Sequence, residues 1–470
     1  MIELHLPHSD WALAYFILEW ILRLAFIVLV LPRRSPTAAR IWLLFAFLAP
    51  VPAAIAYALV GRARNPRRRY EREKDATQKR MSWLAGLPGY ACPRSSLARF
   101  VTDVGGNPPT AGNAIALLTD YDATVDALVA AIDGAHHQVR LMTYILADDA
   151  VGRRVIAALA HARSRGVSVQ VMFDALGSRR WRKAVLARLE QANIDARACN
   201  TYSPLAGGTG RLDRRNHRKI YVIDDALAFM GSQNLVHREF RQGVVNHEVM
   251  MRIEGPLAAE LSAQFVSDWV ADGGAASGWP RTPGKQESGA CAQLLASGPD
   301  QPVEAYTLLL SRLLHEARQS VLIASPYVVL DDGLQLAVAT AAMRGVEVTL
   351  LVSEVVDQPL VRLAQEAGYD ALLSAGVSIR EFAAGLLHAK YVLVDRETAV
   401  IGTSNADIRS FQINSEISLI SEDAGLVQAM AQIAQVHLDC SDEIRRDQWV
   451  SRPLRRRMLQ RIAALASPLL

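Results

Sequence analysis

Two stretches decide how the chain is read: residues 214–225, RRNHRKIYVIDD, and residues 388–395, HAKYVLVD. After the histidine of each, a lysine stands at +2, an aspartate at +7, a glycine at +14 and an asparagine at +17. The first set is His217, Lys219, Asp224, Gly231 and Asn234, and the second is His388, Lys390, Asp395, Gly402 and Asn405. Five residue types held at the same offsets in two places point to a duplicated unit. Each stretch alternates in the manner of a β-strand, on which positions i and i+2 share a face. His217 therefore projects with Lys219, and His388 with Lys390. Ile220, Val222, Tyr391 and Leu393 complete the apolar runs.

Outward from the two motifs, the same order of elements occurs twice. Residues 126–134 read as a helix, Gln138–Leu146 as a strand, Gly152–Arg165 as a helix and Val167–Phe173 as a strand rich in β-branched residues. The second series is Leu309–Ala317, Ser320–Val329, Leu334–Arg344 and Val346–Val352. Residues 271–289, with GG, GWP and TPG, read as a linker. A period this long is not that of a solenoid. The expectation is an α/β protein of two similar lobes that meet through their matching faces.

If they do, two His-Lys pairs converge on one pocket suited to a phosphodiester. Two lysines and two asparagines, Asn234 and Asn405, supply charge and donors for phosphoryl oxygens. One neutral imidazole attacks phosphorus while the other, protonated, gives its proton to the leaving alkoxide. The remaining nitrogen of each ring needs an acceptor. Glu248 in NHEVMM and Glu416 in INSEISLI are the candidates. Asp224 and Asp395 are counted with the catalytic set, although an aspartate after a strand also serves as a turn former or brace. His136, His137, His161, His237 and His247 stand in no such pattern and are read as ordinary.

The N-terminal region is different in kind. Residues 11–31 are long and apolar enough to cross a bilayer, with Glu19 and Arg23 four apart on one helix face. Residues 41–60 carry no charge but contain Pro50 and Pro52, so this stretch is kinked or re-entrant. Arg33, Arg34 and Arg40 lie between the two stretches. The larger cluster after them, Arg62 to Lys74, points to a cytoplasmic side for the rest of the chain. Near the other end, Leu454, Met458, Ile462, Leu465 and Leu469 recur at helical spacing beside Arg455, Arg456, Arg457 and Arg461. That pattern fits a helix lying in a membrane interface, or one packed on the second lobe. The four cysteines, Cys92, Cys199, Cys291 and Cys440, form no CxxC pair, so no zinc site is implied and reduced thiols are expected. The formal net charge of +4 names no partner.

The double HxK(x)4D motif, each copy followed by G(S/T)xN, resembles the phospholipase D superfamily. That resemblance implies a two-lobed α-β-α sandwich, a covalent phosphohistidine and no metal ion or other cofactor. RRNHRKIYVIDD, HAKYVLVD, GTSNADIRSFQINSEI (402–417), Ser297-Gly298-Pro299-Asp300, SPYVVLDD (325–332) and RGVEVTLLV (344–352) are similar to bacterial cardiolipin synthases in particular. So are the paired apolar stretches around RRSPTAAR and the SPLL ending. Two positions depart from that subfamily: Gly231-Ser232 where two glycines are usual, and Glu248 where an aspartate is usual. The expected layout is an anchoring helical hairpin (1–64), a basic connector (65–112), a first lobe (113–270), a linker (271–292) and a second lobe with a basic amphipathic helix (293–470).

The expected reaction transfers a phosphatidyl group between two phosphatidylglycerols at the bacterial inner membrane. Hydrolysis, or transfer to another alcohol, is the alternative. A nuclease is disfavoured by the anchor, and no nucleic-acid partner is expected. A non-enzymatic anionic-lipid binder leaves the histidines unexplained. Oligomeric state is left open.

Overall fold

A computed structural model describes residues 10–33, 36–60, 67–87, 92, 95–201, 213–240, 243–275, 278–283, 289–299, 301, 303–356 and 358–465. Arg34, Arg62, Arg64, Asp300 and Leu469, and part of the 271–289 linker, lie outside them. The chain forms two compact units, one within residues 1–67 and 201–213 and the other within 68–200 and 214–470.

In the first unit, α1 (Asp10–Val30) has 21 residues. At a rise of 1.5 Å each it extends about 31 Å, the thickness of a bilayer core. It is the one described helix long and apolar enough to cross a membrane. Trp11, Ile17, Leu24 and Val28 are exposed along it, as on a lipid-facing helix. Glu19 and Arg23 pair at 3.0 Å, as their spacing requires. α2 (Pro36–Leu48) and α3 (Pro50–Val60) return against α1. Phe26 and Val30 pack there on Ala39, Ala46 and Ala53, whose small side chains let the helices approach closely. The break at Ala49, just before Pro50, is where the sequence places a kink.

The second unit begins with α4 (Arg67–Ala85) and α5 (Ser96–Asp103). Both lie in the stretch read as a connector. α4 has no apolar stripe to announce it, because it is fixed by buried ion pairs and charge-assisted hydrogen bonds. Arg69 bonds Glu73 at 2.8 Å and Asp272 at 2.9 Å, and Arg80 bonds Asn107 at 2.7 Å.

The first half then runs β1 (Thr110–Leu118), α6 (Tyr121–Asp133), β2 (Gln138–Thr143), α7 (Ala150–Ser164), β3 (Ser168–Asp174), α8 (Arg182–Gln191) and β4 (Asp195–Cys199). It continues through β5 (Ile220–Ile223), β6 (Leu227–Gly231), β7 (Asn246–His247), β8 (Met250–Glu254) and α9 (Pro256–Ala271). The second half repeats this as β9 (Ala290–Ser297), α10 (Ala305–Glu316), β10 (Ser320–Ala324), β11 (Val328–Val329), α11 (Asp332–Met343), β12 (Glu347–Ser353), α12 (Pro359–Ser374) and β13 (Ser378–Phe382). There follow β14 (Leu386–Leu387), β15 (Tyr391–Val394), β16 (Thr398–Gly402), β17 (Ala406–Asp407), α13 (Ile408–Gln412), β18 (Glu416–Ser421) and α14 (Ala424–Asp439). The half closes with β19 (Ser441–Glu443), α15 (Arg446–Val450) and α16 (Leu454–Leu465).

The strand order is β19-β13-β12-β10-β15-β16-β18-β9-β1-β8-β6-β5-β2-β3-β4 in one 15-stranded sheet. Read outward from the β9–β1 seam, the two sides match strand for strand, and β19 is the one addition. The lobes are therefore halves of a continuous sheet and not two sheets in contact. Helices cover both faces, as the near-continuous apolar strands demand. One core cluster crosses the seam, joining Met142, Ile220, Met230 and Phe265 to Leu294, Tyr391, Ile401 and Leu419.

Cys92 and Cys291, expected as reduced thiols, form a disulfide with their Cα atoms 5.9 Å apart. No spacing rule foretells it, because Cys92 reaches β9 through the folding of α5. Gln293 on that strand bonds the Ala98 carbonyl in α5 at 3.0 Å. Cys199 and Cys440 remain free thiols.

Candidate active site

His217 and Lys219 lie just ahead of β5, and His388 and Lys390 just ahead of β15. Strand pairing thus begins one residue after each lysine, and the His-x-Lys segments line the end of the sheet. They are stitched across the two halves. His217 N bonds the Ser415 carbonyl at 2.9 Å, and Ser415 N bonds the Arg215 carbonyl at 2.8 Å. β7 pairs in parallel with β14, and His388 N bonds the His247 carbonyl at 2.8 Å.

The two carboxylates are exchanged. His217 Nδ1 meets Glu416 Oε2 of the second half at 2.9 Å. His388 Nδ1 meets Glu248 of the first half at 2.7 and 2.8 Å to its two oxygens. Each half thereby supplies the acceptor for the other half's imidazole.

The electrostatics favour one protonation pattern. Burial, against the pull of Glu416, pushes His217 down to about 4. Burial against Glu248 does the same to His388, to about 4. Burial opposes ionisation of both glutamates, but the histidine and lysine beside each outweigh it and hold the carboxyl below its ordinary range. A neutral imidazole donating Nδ1–H to a carboxylate leaves its Nε2 lone pair free for attack. Lys390 acts on His217 and Lys219 on His388, so both pairs share one site. Burial first, and then Lys390, drive Lys219 far below its ordinary value. Lys219 Nζ bonds the His217 carbonyl at 2.7 Å, and Lys390 Nζ bonds that of His388.

The glycine and hydroxyl after each motif have one function in both copies. A Cβ on Gly231 would stand 2.3 Å from the Val249 carbonyl, and one on Gly402 would stand 2.3 Å from that of Ile417. Ser232 Oγ accepts from Val249 N at 3.0 Å, and Thr403 Oγ1 accepts from Ile417 N at 2.9 Å. These bonds fix the residue directly after Glu248 and Glu416, and so aim the carboxylates. The asparagines differ. Asn234 Oδ1 accepts from Ile145 N at 3.1 Å, whereas Asn405 Nδ2 donates to Asp407 at 3.1 Å. Asn405 Oδ1 is buried without a partner among the described residues.

Asp224 and Asp395 do not join this site, contrary to their place in the expected catalytic set. Seven residues of extended chain carry each about 23 Å from its histidine. Both sit at positive φ, 52° and 53°, in the hairpin turn after the strand. There Asp224 accepts from the backbone N–H groups of His136, His137 and Gln138, each at 2.8 Å. Asp395 accepts likewise from Arg318, Gln319 and Ser320 at 2.9, 2.7 and 2.9 Å. They brace the start of β2 and β10.

Two neighbours escaped the sequence reading. Tyr144 lies edge-on to His217 with ring centroids 4.9 Å apart, and Lys219 Nζ stands 5.5 Å from its ring centre. Arg218 is fully buried, bonding the Glu416 carbonyl at 2.9 Å and both oxygens of Asp268 at 2.6 Å. The signal for Arg218 was its place between two site residues where the other copy has Ala389. Tyr144 gave none.

A family model described as "Cardiolipin synthase, PLD-like domain" matches residues 128–269 and 310–437. The chain belongs to the cardiolipin synthase family. Among its curated relatives, cardiolipin synthase A of Edwardsiella ictaluri is 34% identical, over 94% of this chain and 95% of that protein. Cardiolipin synthase A of Erwinia tasmaniensis is 33% identical, over 97% and 99%. The crystal structure of a phosphatidylserine synthase from Haemophilus influenzae superposes with a TM-score of 0.60 at 14% identity, covering 80% of this chain and 100% of that one. That likeness shows the phospholipase D fold. As a member of the cardiolipin synthase family, the chain is a membrane-associated phosphatidyltransferase acting on phospholipid. Its two departures from that family leave the geometry whole: Ser232 makes the hydroxyl bond of Thr403, and Glu248 reaches its imidazole.

Proposed function

We propose that the protein makes cardiolipin by transferring a phosphatidyl group from one phosphatidylglycerol to another. The observation that carries this is the exchange of carboxylates, Glu416 to His217 and Glu248 to His388. It prepares two imidazoles of equal form, each beside a lysine.

In the first step His217 Nε2 attacks phosphorus, the P–O bond to glycerol breaks, and His388 gives its proton to the departing alkoxide. The anionic phosphodiester entering beside His388 favours the imidazolium that this requires. In the second step His388 takes the proton from the terminal hydroxyl of another phosphatidylglycerol, whose oxygen displaces His217 from phosphorus. Lys219 and Lys390 stabilise the phosphoryl oxygens. Asn234, Asn405, Glu248 and Glu416 orient the site. One P–O bond replaces another, so neither nucleotide nor metal is needed, and activity should survive EDTA. The functional divisions we infer are the anchor 1–64, connector 65–112, first lobe 113–270, linker 271–292 and second lobe 293–470.

Purified protein in detergent with labelled phosphatidylglycerol should yield cardiolipin and glycerol without CTP, and added glycerol should reverse the reaction. Phosphatidic acid as the sole product would establish the hydrolase instead.

The proposed location is the inner membrane with the lobes on the cytoplasmic side, from the arginine asymmetry around the apolar stretches. The Cys92–Cys291 bond favours the opposite face, since such bonds persist in oxidising compartments. Maleimide labelling of denatured protein from rapidly quenched cells decides between them. Labelling of both cysteines without reductant places the lobes in the cytoplasm.

A further inference from the structure

α16 is an inverted helix. A surface helix ordinarily buries an apolar stripe and exposes its charges. Here the buried residues are Gln460 and Ala463, and the docking is polar. Gln460 Nε2 and Arg456 Nη2 donate to Glu366 at 2.7 and 2.9 Å. Arg452 forks onto Asp370 at 2.8 and 2.7 Å and bonds Gln460 Oε1 at 2.9 Å. The apolar residues point away from the lobe: Leu454, Met458, Leu459, Ile462 and Leu465 are 70, 57, 54, 59 and 78% exposed. At 3.6 residues per turn they occupy an arc of about 140°, opposite Gln460 and with Ala463 at its edge. Val450, also exposed, extends the arc toward α15.

The charge on α16 itself has one sign. α16 carries Arg455, Arg456, Arg457 and Arg461 and no acidic residue. Beside it a cleft of about 220 Å³ is lined by Arg446, Trp449, Val450, Arg452, Arg457 and Asp370. Arg452 already occupies Asp370, which leaves the cleft cationic through Arg446 and Arg457. A second copy applying the same face would set these arginines against their own images. An anionic bilayer supplies both complements at once, acyl chains for the arc and phosphates for the arginines.

We propose that α16 and the adjoining cleft form a second lipid contact, with the helix lying in the headgroup region of an anionic membrane beside the catalytic lobes. The functional benefit rests on the reading that the substrate is a bilayer lipid, but the placement itself can be measured without turnover.

The test uses the full chain in nanodiscs of phosphatidylglycerol and phosphatidylcholine. In a Cys440→Ser background with the Cys92–Cys291 bond oxidised before labelling, spin labels are placed by Met458→Cys, Ile462→Cys and Leu465→Cys, with Leu336→Cys as an exposed position elsewhere. The α16 labels should favour oxygen over a water-soluble nickel chelate by about tenfold relative to position 336. That preference should weaken in purely zwitterionic discs. Labels as accessible to nickel as position 336 would overturn the proposal. So would spin–spin broadening that dilution with unlabelled chain removes, which would assign the face to a second copy. Ile462→Asp with Leu465→Asp should raise KM for bilayer substrate about tenfold and leave turnover of short-chain monomeric lipid unchanged. An unchanged KM with an intact thermal melt would also overturn it. Labels buried in lipid without any cardiolipin synthesis would support the contact and remove the proposed reaction.

Discussion

Tyr144 and Pro326 occupy the same place in the two halves. β2 pairs Met142 with Ile220, and β10 pairs Ala324 with Tyr391. The residue two beyond each strand partner is Tyr144 in one half and Pro326 in the other. His217 and Lys219 therefore have an aromatic wall, and among the described residues no ring lies against His388. The same contrast sets Arg218, tied to Asp268 and Glu416, against Ala389 in the core. Backbone, glycine, hydroxyl and carboxylate are duplicated faithfully, and the surroundings are not. The division of labour between two identical imidazoles must come from those surroundings.

The strongest way to break this comparison is to remove each histidine. His217→Ala and His388→Ala should each lower kcat by four or more orders of magnitude, through loss of the nucleophile or of the proton donor. Acid quenching with phosphatidyl-labelled substrate sharpens it. Covalent label should persist in His388→Asn and be absent in His217→Asn, and the reverse pattern would exchange the roles.

Glu416→Gln and Glu248→Gln should each cost about 10³-fold in kcat, since the acceptor fixes the tautomer of its ring. Rapid quench should find phosphoenzyme formation slowed by Glu416→Gln, although Glu416 lies in the other half from His217. Slowing traced to His388 alone would contradict the crossed pairing.

Replacement of the aromatic wall should have a smaller effect. Tyr144→Leu is expected to reduce kcat about tenfold through the lost contact with Lys219 and a looser His217. Pro326→Ala should leave kcat within about twofold.

Acid stability tests whether the halves are equivalent. His217, His388 and the buried His437 are each pushed down to about 4, chiefly by burial. The unfolded chain takes up those protons near pH 6.5, so these three groups lower stability as pH drops from about 6.5 to about 4. Their share then levels off, while the depressed Glu248 and Glu416 carboxyls carry the loss on to lower pH. Tm measured across that window should show the slope, and His217→Asn and His388→Asn should flatten it by similar amounts.

The smallest effect on catalysis should come from the turn aspartates. Asp224→Asn and Asp395→Asn should keep kcat per folded molecule within about twofold while costing about 1–3 kcal/mol of stability in a denaturant melt.

The order of helices and strands was legible because each half repeats period-2 and helical patterns within a few residues of where they fold. The histidines and lysines were legible as residue types at fixed offsets, and the glutamates only as carboxylates a short way after each asparagine. Their partnership was not. His217 and Glu416 are 199 positions apart, and nothing local in either segment encodes which half's carboxylate serves which ring. The aspartates misled because recurrence at a fixed offset marks a duplicated backbone as readily as a duplicated mechanism. α4 was hidden because it buries salt bridges and not an apolar face. The seam between β1 and β9 was hidden because an edge joined to its own duplicate reads in sequence as any buried strand.

The exchanged glutamates also bear on how such a chain can change over generations. A duplicated gene segment usually leaves one copy free to decay. Here a lesion at Glu248 disables a histidine in the other half, and a lesion at Glu416 does the same in return. Neither copy is spare, and selection must see the two as a single heritable unit.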